Sequence, residues 1–333
     1  MRVVLVGAGA VGARAARQLH SVDGLDSLAV VDADRARAEA VAGSLGVPAA
    51  PAGFDEAVAG ADVVVLTQPR GHRPAAERAL EHGAHVVSVA DDVEEVRGLL
   101  ALDVEARERA LSVVVGAGFS PGLTCLLARH AADDFDAVDE VHVAKAGTGG
   151  PACATRHHRA LSEPSVDWRD GTWVTRRGGS GRELCWFPDP VGPRDCYRAG
   201  LAEALLLAPA FVGVQRVTAR VAASRRDRIS AHLPMLRPPH PEGLVGAVRV
   251  EVRGRRGGTR DVRVLGALDR PATGAGAVAA LAAAWAVNGD LARPGAAGLA
   301  ELVGDSVPFL AELARRGVRA AVFEGAAASF STA

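Results

Sequence analysis

Lysine is nearly absent from this chain. Of its 38 basic residues only Lys145 is not an arginine. Aromatic residues make up 4% of the 333 positions, with a single tyrosine. The four cysteines, Cys125, Cys153, Cys185 and Cys196, are too few and too scattered for a disulfide framework and fit a reducing compartment. No stretch approaches the ~20 apolar residues of a membrane span, and the Ala-rich run at 276–287 is too short. The opening run at 2–6 falls short of the roughly seven to fifteen apolar residues of a secretory signal. These absences predict a cytoplasmic protein with no membrane partner. The formal net charge is −1, which leaves no overall basic field to draw in nucleic acid. The cluster Arg225-Arg226-Asp227-Arg228 lacks interleaved aromatics and reads as a solvated turn.

What is present is ordinary globular composition, 49% hydrophobic and 23% charged, in a chain long enough for two cores. Apolar runs at 2–6, 28–31, 63–66, 85–89 and 113–115 read as buried parallel strands. Helical patterns at 10–20, 35–45, 74–82 and 93–110 alternate with them, and another helix begins near Leu123. That alternation predicts an α/β class, with a doubly wound parallel sheet of Rossmann type. After about residue 135 the pattern changes. A strand at 138–146 precedes a Gly-rich loop at 147–151. Residues 155–200 resist assignment. A strand at 214–223 and a long hairpin follow, its arms 244–253 and 259–268 joined by Gly254-Arg255-Arg256-Gly257-Gly258. This predicts a second α+β domain of mostly antiparallel sheet. A helix at 273–287, expected to return to the first domain, and another at 307–316 close the chain. The expected division is 1–131 for dinucleotide binding, 132–272 for substrate and dimer contacts, and 273–333 for the returning helices.

Gly7-Ala8-Gly9-Ala10-Val11-Gly12 follows a strand, opens a helix, and has Asp32 at the end of the next strand, 20 residues beyond Gly12. In that context the three glycines are read as a dinucleotide turn. Gly7 permits the turn, Gly9 lets the backbone approach a pyrophosphate, and Gly12 lets the helix pack on the strand. Asp32 can accept both ribose hydroxyls and repels a 2′-phosphate, which favours NAD. Arg35 and Arg37 keep NADP open. The carboxyl ends of the other strands bring Thr67, Gln68, Pro69, Asp91, Ser120 and Pro121 to the same crevice. Asp91 or Asp92 also suits the cap of the helix starting at Val93.

With these segments in view, the chain resembles the saccharopine dehydrogenase-like family. The resemblance rests on Val6-Gly7-Ala8-Gly9-Ala10-Val11-Gly12, on Asp32, and on Gly116-Ala117-Gly118-Phe119-Ser120-Pro121-Gly122-Leu123-Thr124, which is similar to the Gly-x-x-Pro-Gly-Leu turn of saccharopine reductases and lysine-epsilon dehydrogenase-type enzymes. It covers residues 1–130 well and the remainder loosely. It implies a Rossmann domain joined to an α+β substrate domain, and hydride transfer at a carbon bearing nitrogen on an amino acid or polyamine.

Lys145 is the sharpest candidate for proton transfer. Arginine replaces lysine as a surface charge but not as a group whose pKa moves on burial. A chance surface survivor is the alternative. His157 and His158 are further candidates, and as neighbours at most one of them should face a pocket. Arg156 and Arg182 are candidates for binding a substrate carboxylate. Trp168, Trp173, Trp186, Phe187 and Tyr197 either wall a pocket or form an irregular core, and Tyr197 is carried as a substrate-binding candidate. No Cys or His spacing supports a metal site. The reading is an NAD(P)-dependent oxidoreductase on a small-molecule amino-acid-like or imine substrate, expected as a homodimer. The alternative is a dinucleotide-binding sensor or assembly protein without catalysis. A crevice with convergent polar groups separates the two readings.

Overall fold

The computed structural model describes residues 1–47, 50, 53–235 and 238–322. Strands β1 (Arg2–Val6), β2 (Ser27–Val31), β3 (Val63–Leu66), β4 (His85–Ser88) and β5 (Ser112–Val115) form a parallel sheet in the order β5-β4-β3-β1-β2. Every residue of β3 and β5 is buried, as valine-rich strands covered on both faces must be. The strand order reverses direction about β1 and β3, so a crevice opens at their carboxyl ends. The helix predicted at 93–110 is two helices, Val93–Leu100 and Asp103–Glu108. The break lets Asp103 Oδ1 accept the Ala296 amide at 2.9 Å and Arg293 Nη1 at 3.1 Å, tying it to the C-terminal part of the chain.

The second sheet is built on β6 (Ala137–Ala146). Residues 155–200, unassigned from sequence, hold most of the helix Pro151–Ala160 and four short strands. These are β7 (Ser165–Arg169), β8 (Thr172–Arg176), β9 (Glu183–Trp186) and β10 (Pro193–Tyr197). β11 (Arg216–Ala222) runs parallel to β6, and the other pairings are antiparallel. The hairpin β12 (Gly246–Arg256) and β13 (Thr259–Asp269) is longer than predicted, and its turn is only Gly257-Gly258. Both glycines have positive φ, 56° and 82°, the conformation that a two-residue hairpin turn requires.

Alternation along the paired strands sorts this sheet into two faces. Val141, Val143, Val217, Val248, Val250 and Val252 share the inner face and join one core with the first domain. Lys145, paired with Val221 and Val248, lies on that apolar face. The outer face is apolar at one end, where Ala144, Ala146 and Ala247 are buried with Cys185, Cys196 and Phe187, and polar at the other. His142 contacts Thr218 and Glu140 at 2.8 Å each, and Glu251 accepts from Arg249 and Arg253.

The helix Pro271–Asn288 packs on the helix Ala10–His20, where a Cβ on Gly276 would fall 2.7 Å from the Ala15 nitrogen. Beyond it the chain serves both sheets. β14 (Gly295–Ala297) adds parallel to β5, and β15 (Arg319–Val322), unforeseen from sequence, pairs with β13. Residues 323–333 of the predicted last segment lie outside the described residues. Among the described residues no helix is long and apolar enough to cross a membrane.

Candidate active site

The glycine turn has the three environments its roles require. Gly7 has φ +99°, and a Cβ there would sit 2.6 Å from the Gln68 nitrogen. A Cβ on Gly12 would lie 1.8 Å from the Gly7 oxygen, so only glycine permits this helix to meet this strand. Gly9 has nothing within 4 Å of its would-be Cβ, so the turn is open on the side a pyrophosphate would approach. The helix Ala10–His20 has no side-chain cap and no acid in its first turn. Its first N–H groups are therefore left for an anionic ligand. Asp32 Oδ2 accepts the Ala8 amide at 2.6 Å and Oδ1 accepts Asp34 N at 2.8 Å, which fixes the carboxylate beside the turn. Ala10 and Val11 open the helix, and Val11 also lines the crevice.

The two arginines near Asp32 are engaged elsewhere. Arg35 Nε donates to Glu39 at 2.8 Å and Arg37 pairs with Asp34 at 3.4 Å, both side chains being exposed. Arg35, carried as a cofactor ligand, is therefore turned along its own helix, because Glu39 one turn on offers the better partner.

Next along the crevice, Thr67 Oγ1 donates to the Gly7 carbonyl at 2.7 Å and so locks the glycine turn to β3. Gln68 and Pro69 line the opening. The Gln68 Oε1 atom is buried with no partner among the described residues, an acceptor free for a cofactor. His72 is buried between the Gln68 carbonyl at 2.6 Å and Ser88 Oγ at 2.8 Å. Burial pushes its pKa down, so the neutral ring fastens β3 to β4. Asp92 accepts from the Glu94 and Glu95 amides and is the cap of its helix. Asp91 is not a cap and faces the crevice. The turn Gly118-Phe119-Ser120-Pro121-Gly122, with a cis Ser120–Pro121 bond, ends β5 tightly. A Cβ on Gly122 would fall 2.1 Å from the Gly118 oxygen.

The second domain supplies the opposite wall. Lys145, 3% exposed, donates to the Ser120 carbonyl at 3.0 Å. Its Nζ lies 3.6 Å from Glu203 Oε1 and 3.9 Å from Asp91 Oδ2. Glu203 is fully buried and accepts Ser120 Oγ at 2.6 Å. Sequence reading missed Glu203. Its one signal is a lone acid inside the apolar run Leu201-Ala202-Glu203-Ala204-Leu205-Leu206-Leu207.

The helix Pro151–Ala160 presents Cys153, Arg156 and His157 to the crevice, at i, i+3 and i+4. Asp91, Cys153 and His157 each offer a ligand atom, and these atoms all lie within 4.8 Å of one another. This cluster was not foreseen, because Asp91 and Cys153 are 62 positions apart. Burial pushes the Cys153 thiol up to about 11. Burial, with the Lys145 and Arg156 charges added, holds the His157 ring well below its usual pKa. The crevice spans an empty volume of about 900 Å³, part of it open to solvent.

Four predicted substrate or catalytic residues are placed differently. His158 points away, its Nε2 shared between the Ser230 and Leu233 carbonyls at 2.9 and 3.1 Å, because it stands on another side of the helix from His157. Arg182 is exposed and paired with Asp195 at 2.9 Å. Tyr197 is buried under the Arg228 guanidinium, 4.3 Å from its ring centre. Arg156 reaches the crevice, but its guanidinium already donates to Glu163 at 2.8 Å and the Gly200 carbonyl at 2.7 Å, with Asp92 3.1 Å from Nε. Its buried Nε makes no hydrogen bond among the described residues. Trp168 stacks edge-on with Trp173 at 4.8 Å, Phe187 is buried and Trp186 is exposed. None of the five aromatics considered lines the crevice.

Residues 1–114 match the model of a family described as an oxidoreductase family with an NAD-binding Rossmann fold. No curated protein matches the chain in sequence. Among solved structures, the chain is similar to apo saccharopine dehydrogenase (L-Glu forming) from Saccharomyces cerevisiae, at TM-score 0.69 and 15% identity, over 97% of this chain and 99% of that one. It is also similar to an amine dehydrogenase from Mycobacterium smegmatis, at TM-score 0.53 and 12% identity, over 91% and 96%. At these identities the likeness is one of fold. Residues 1–114 therefore match the NAD-binding Rossmann fold of an oxidoreductase family, in a chain whose overall fold is similar to that of saccharopine dehydrogenase.

Proposed function

We propose that this oxidoreductase moves a hydride at a carbon–nitrogen centre of an amino-acid-like or imine substrate. The observation that carries this reading is the convergence of Lys145 and His157, from the second domain, on the carboxyl ends of β3, β4 and β5. When bound, NAD supplies a hydride acceptor or donor at its nicotinamide ring. Gly9, the free N–H groups of the helix Ala10–His20 and Asp32 hold the dinucleotide in this reading. Thr67 and Gln68 continue its path toward the crevice. His157, kept neutral by enclosure, takes up or returns the proton that accompanies oxidation of an amine. Lys145 donates to the Ser120 carbonyl and stands 3.9 Å from Asp91 at the crevice. The two domains shut water from one side of the reacting centre.

A non-catalytic sensor is not favoured, since its cleft would be filled, whereas this one is open and lined by convergent polar groups. The homodimer stays a proposal. The outer face of the second sheet offers it charged ladders around His142 and Glu251, its apolar end being covered by Cys185, Cys196 and Phe187. Light scattering from a monodisperse species of 34.2 kDa would defeat it.

The test is a screen of amino acids, imines and diamines with NAD and with NADP, read by absorbance of the reduced cofactor. Turnover with at least one carbon–nitrogen substrate is expected, and it should fall about a hundredfold or more in Lys145→Met and in His157→Ala. Activity confined to alcohols or aldehydes would remove the reading.

A further inference from the structure

We propose that Cys185 and Cys196 form a peroxide-responsive dithiol on the outer face of the second sheet, and that its oxidation loosens the crevice wall from behind. Neither cysteine lines the crevice, so this switch is independent of the carbon–nitrogen reading.

Strand register makes the pair. β9 and β10 run antiparallel, with Glu183 opposite Cys196 and Cys185 opposite Arg194. Cys185 and Cys196 are therefore diagonal neighbours on one face. Both are free and buried, and they share a small core with Ala144, Ala146, Ala247 and Phe187. Their thiols hydrogen-bond each other. The Cys196 contact holds the Cys185 thiol below its ordinary value, and the Arg249 and Arg220 guanidiniums act in the same direction. The same contact, with burial, pushes the Cys196 thiol up. The thiolate thus forms at Cys185 with a thiol beside it, the arrangement of an attacking and a resolving cysteine.

β9 is a weak place to keep such a pair closed. It is four residues long and ends the path of the sheet beside β10. Leu184 and Trp186, on its other face, are 57% and 60% exposed. A short edge strand packed on one side opens readily, and a peroxide reaches Cys185 when it does.

The diagonal also decides what the bond would do. Diagonal Cβ atoms stand roughly 7 Å apart, whereas a disulfide needs about 3.5–4.5 Å. Joining the sulfurs therefore drags β9 along β10 and out of its ladder. Phe187 follows Cys185 by two positions and is drawn from its seat in the small core. Ala146 belongs to that core, and with Gly147 it also lines the crevice beside Lys145. A bond made against the ladder is easily reduced, which makes it a switch rather than a staple.

The step balances with a hydroperoxide as oxidant. The Cys185 thiolate attacks ROOH, the O–O bond breaks, and Cys185 becomes a sulfenic acid. The RO− released takes up the proton that Cys185 gave and leaves as ROH. Cys196 sulfur then attacks the sulfenic sulfur, the S–S bond forms, and water leaves with the Cys196 proton. Two thiols are oxidised by two electrons and one peroxide is reduced.

The test treats the reduced full-length protein with hydrogen peroxide and maps its cysteines by peptide mass. A Cys185–Cys196 bond is expected, and reduced glutathione should return both thiols. Cys196→Ser should stop at a sulfenic acid on Cys185, captured by dimedone, and Cys185→Ser should leave Cys196 unmodified. Amide hydrogen exchange over residues 143–149 should quicken about threefold or more on oxidation and recover on reduction. No bond, a bond to Cys125 or Cys153 instead, or a bond that survives glutathione would overturn the switch. Exchange over 143–149 that ignores the oxidation would overturn its reach to the crevice. None of these outcomes involves a substrate, so the carbon–nitrogen reading stands or falls by its own screen.

Discussion

Lys145 Nζ lies 3.6 Å from Glu203 Oε1, and both side chains are shut from solvent on the apolar seam between the two sheets. Removing one member of such a pair leaves an uncompensated buried charge, which costs roughly 3–5 kcal/mol. Lys145→Met should therefore destabilise the protein by that order in urea unfolding. Lys145→Met/Glu203→Gln should recover much of the loss and still not restore turnover. Additive losses in the double variant would show that the two charges do not act as a pair.

The glycine turn gives two opposite outcomes from one chemical change. Gly12→Ala forces a methyl group to within 1.8 Å of the Gly7 oxygen and should lower stability by roughly 1–3 kcal/mol. Gly9→Ala adds a methyl group to open space and should leave the unfolding midpoint where it is, yet weaken NAD binding tenfold or more. Calorimetric titration with NAD checks both. Wild-type affinity in Gly9→Ala would move the pyrophosphate to another part of the turn.

Dinucleotide preference should follow Asp32. Its carboxylate is fixed by the Ala8 and Asp34 amides, and Arg35 and Arg37 are held by acids of their own. NAD is expected to bind at least tenfold tighter than NADP. Asp32→Ser should narrow the ratio by weakening NAD, since a charge-assisted hydrogen bond contributes roughly 1.5–3 kcal/mol. Tighter NADP than NAD in the unaltered protein would reverse this assignment.

Stability should decline as the solution is acidified from pH 7.5 to 5.5. Burial pushes His72, His85, His142 and His157 below the ordinary histidine value of 6.5. The unfolded chain therefore binds protons that the folded chain refuses. Folding free energy is lost as pH falls below about 6.5, by up to roughly 1.4 kcal/mol per pH unit for each such histidine. His157→Gln should flatten the slope. A midpoint in urea that rises on acidification in this window contradicts the assignment.

The sequence showed the first domain more clearly than the second for a physical reason. Gly7, Gly9, Gly12 and Asp32 work through local backbone geometry, so their spacing carries the signal. Lys145 stood out by composition alone. Glu203 meets Ser120 across 83 positions, and Asp91 meets Cys153 across 62, through packing that no local pattern encodes. Arg156 and Arg182 show the converse limit. A sequence supplies the cation but not the acids that already hold it. His157 and His158 were separable in principle by helical direction, but which of them faced inward depended on where the Gly-rich loop set the helix down.

A protein with one lysine has one ε-amine for a chemist to find, and here it is walled in by both domains. Reductive methylation or acylation can reach that nitrogen only when the walls part. The fraction of chains modified at Lys145 over time, read by peptide mass mapping that counts the Met1 amine apart, thus becomes a clock for crevice opening, free of the background that dozens of surface lysines create elsewhere. Saturating dinucleotide should slow that clock if it holds the two walls together.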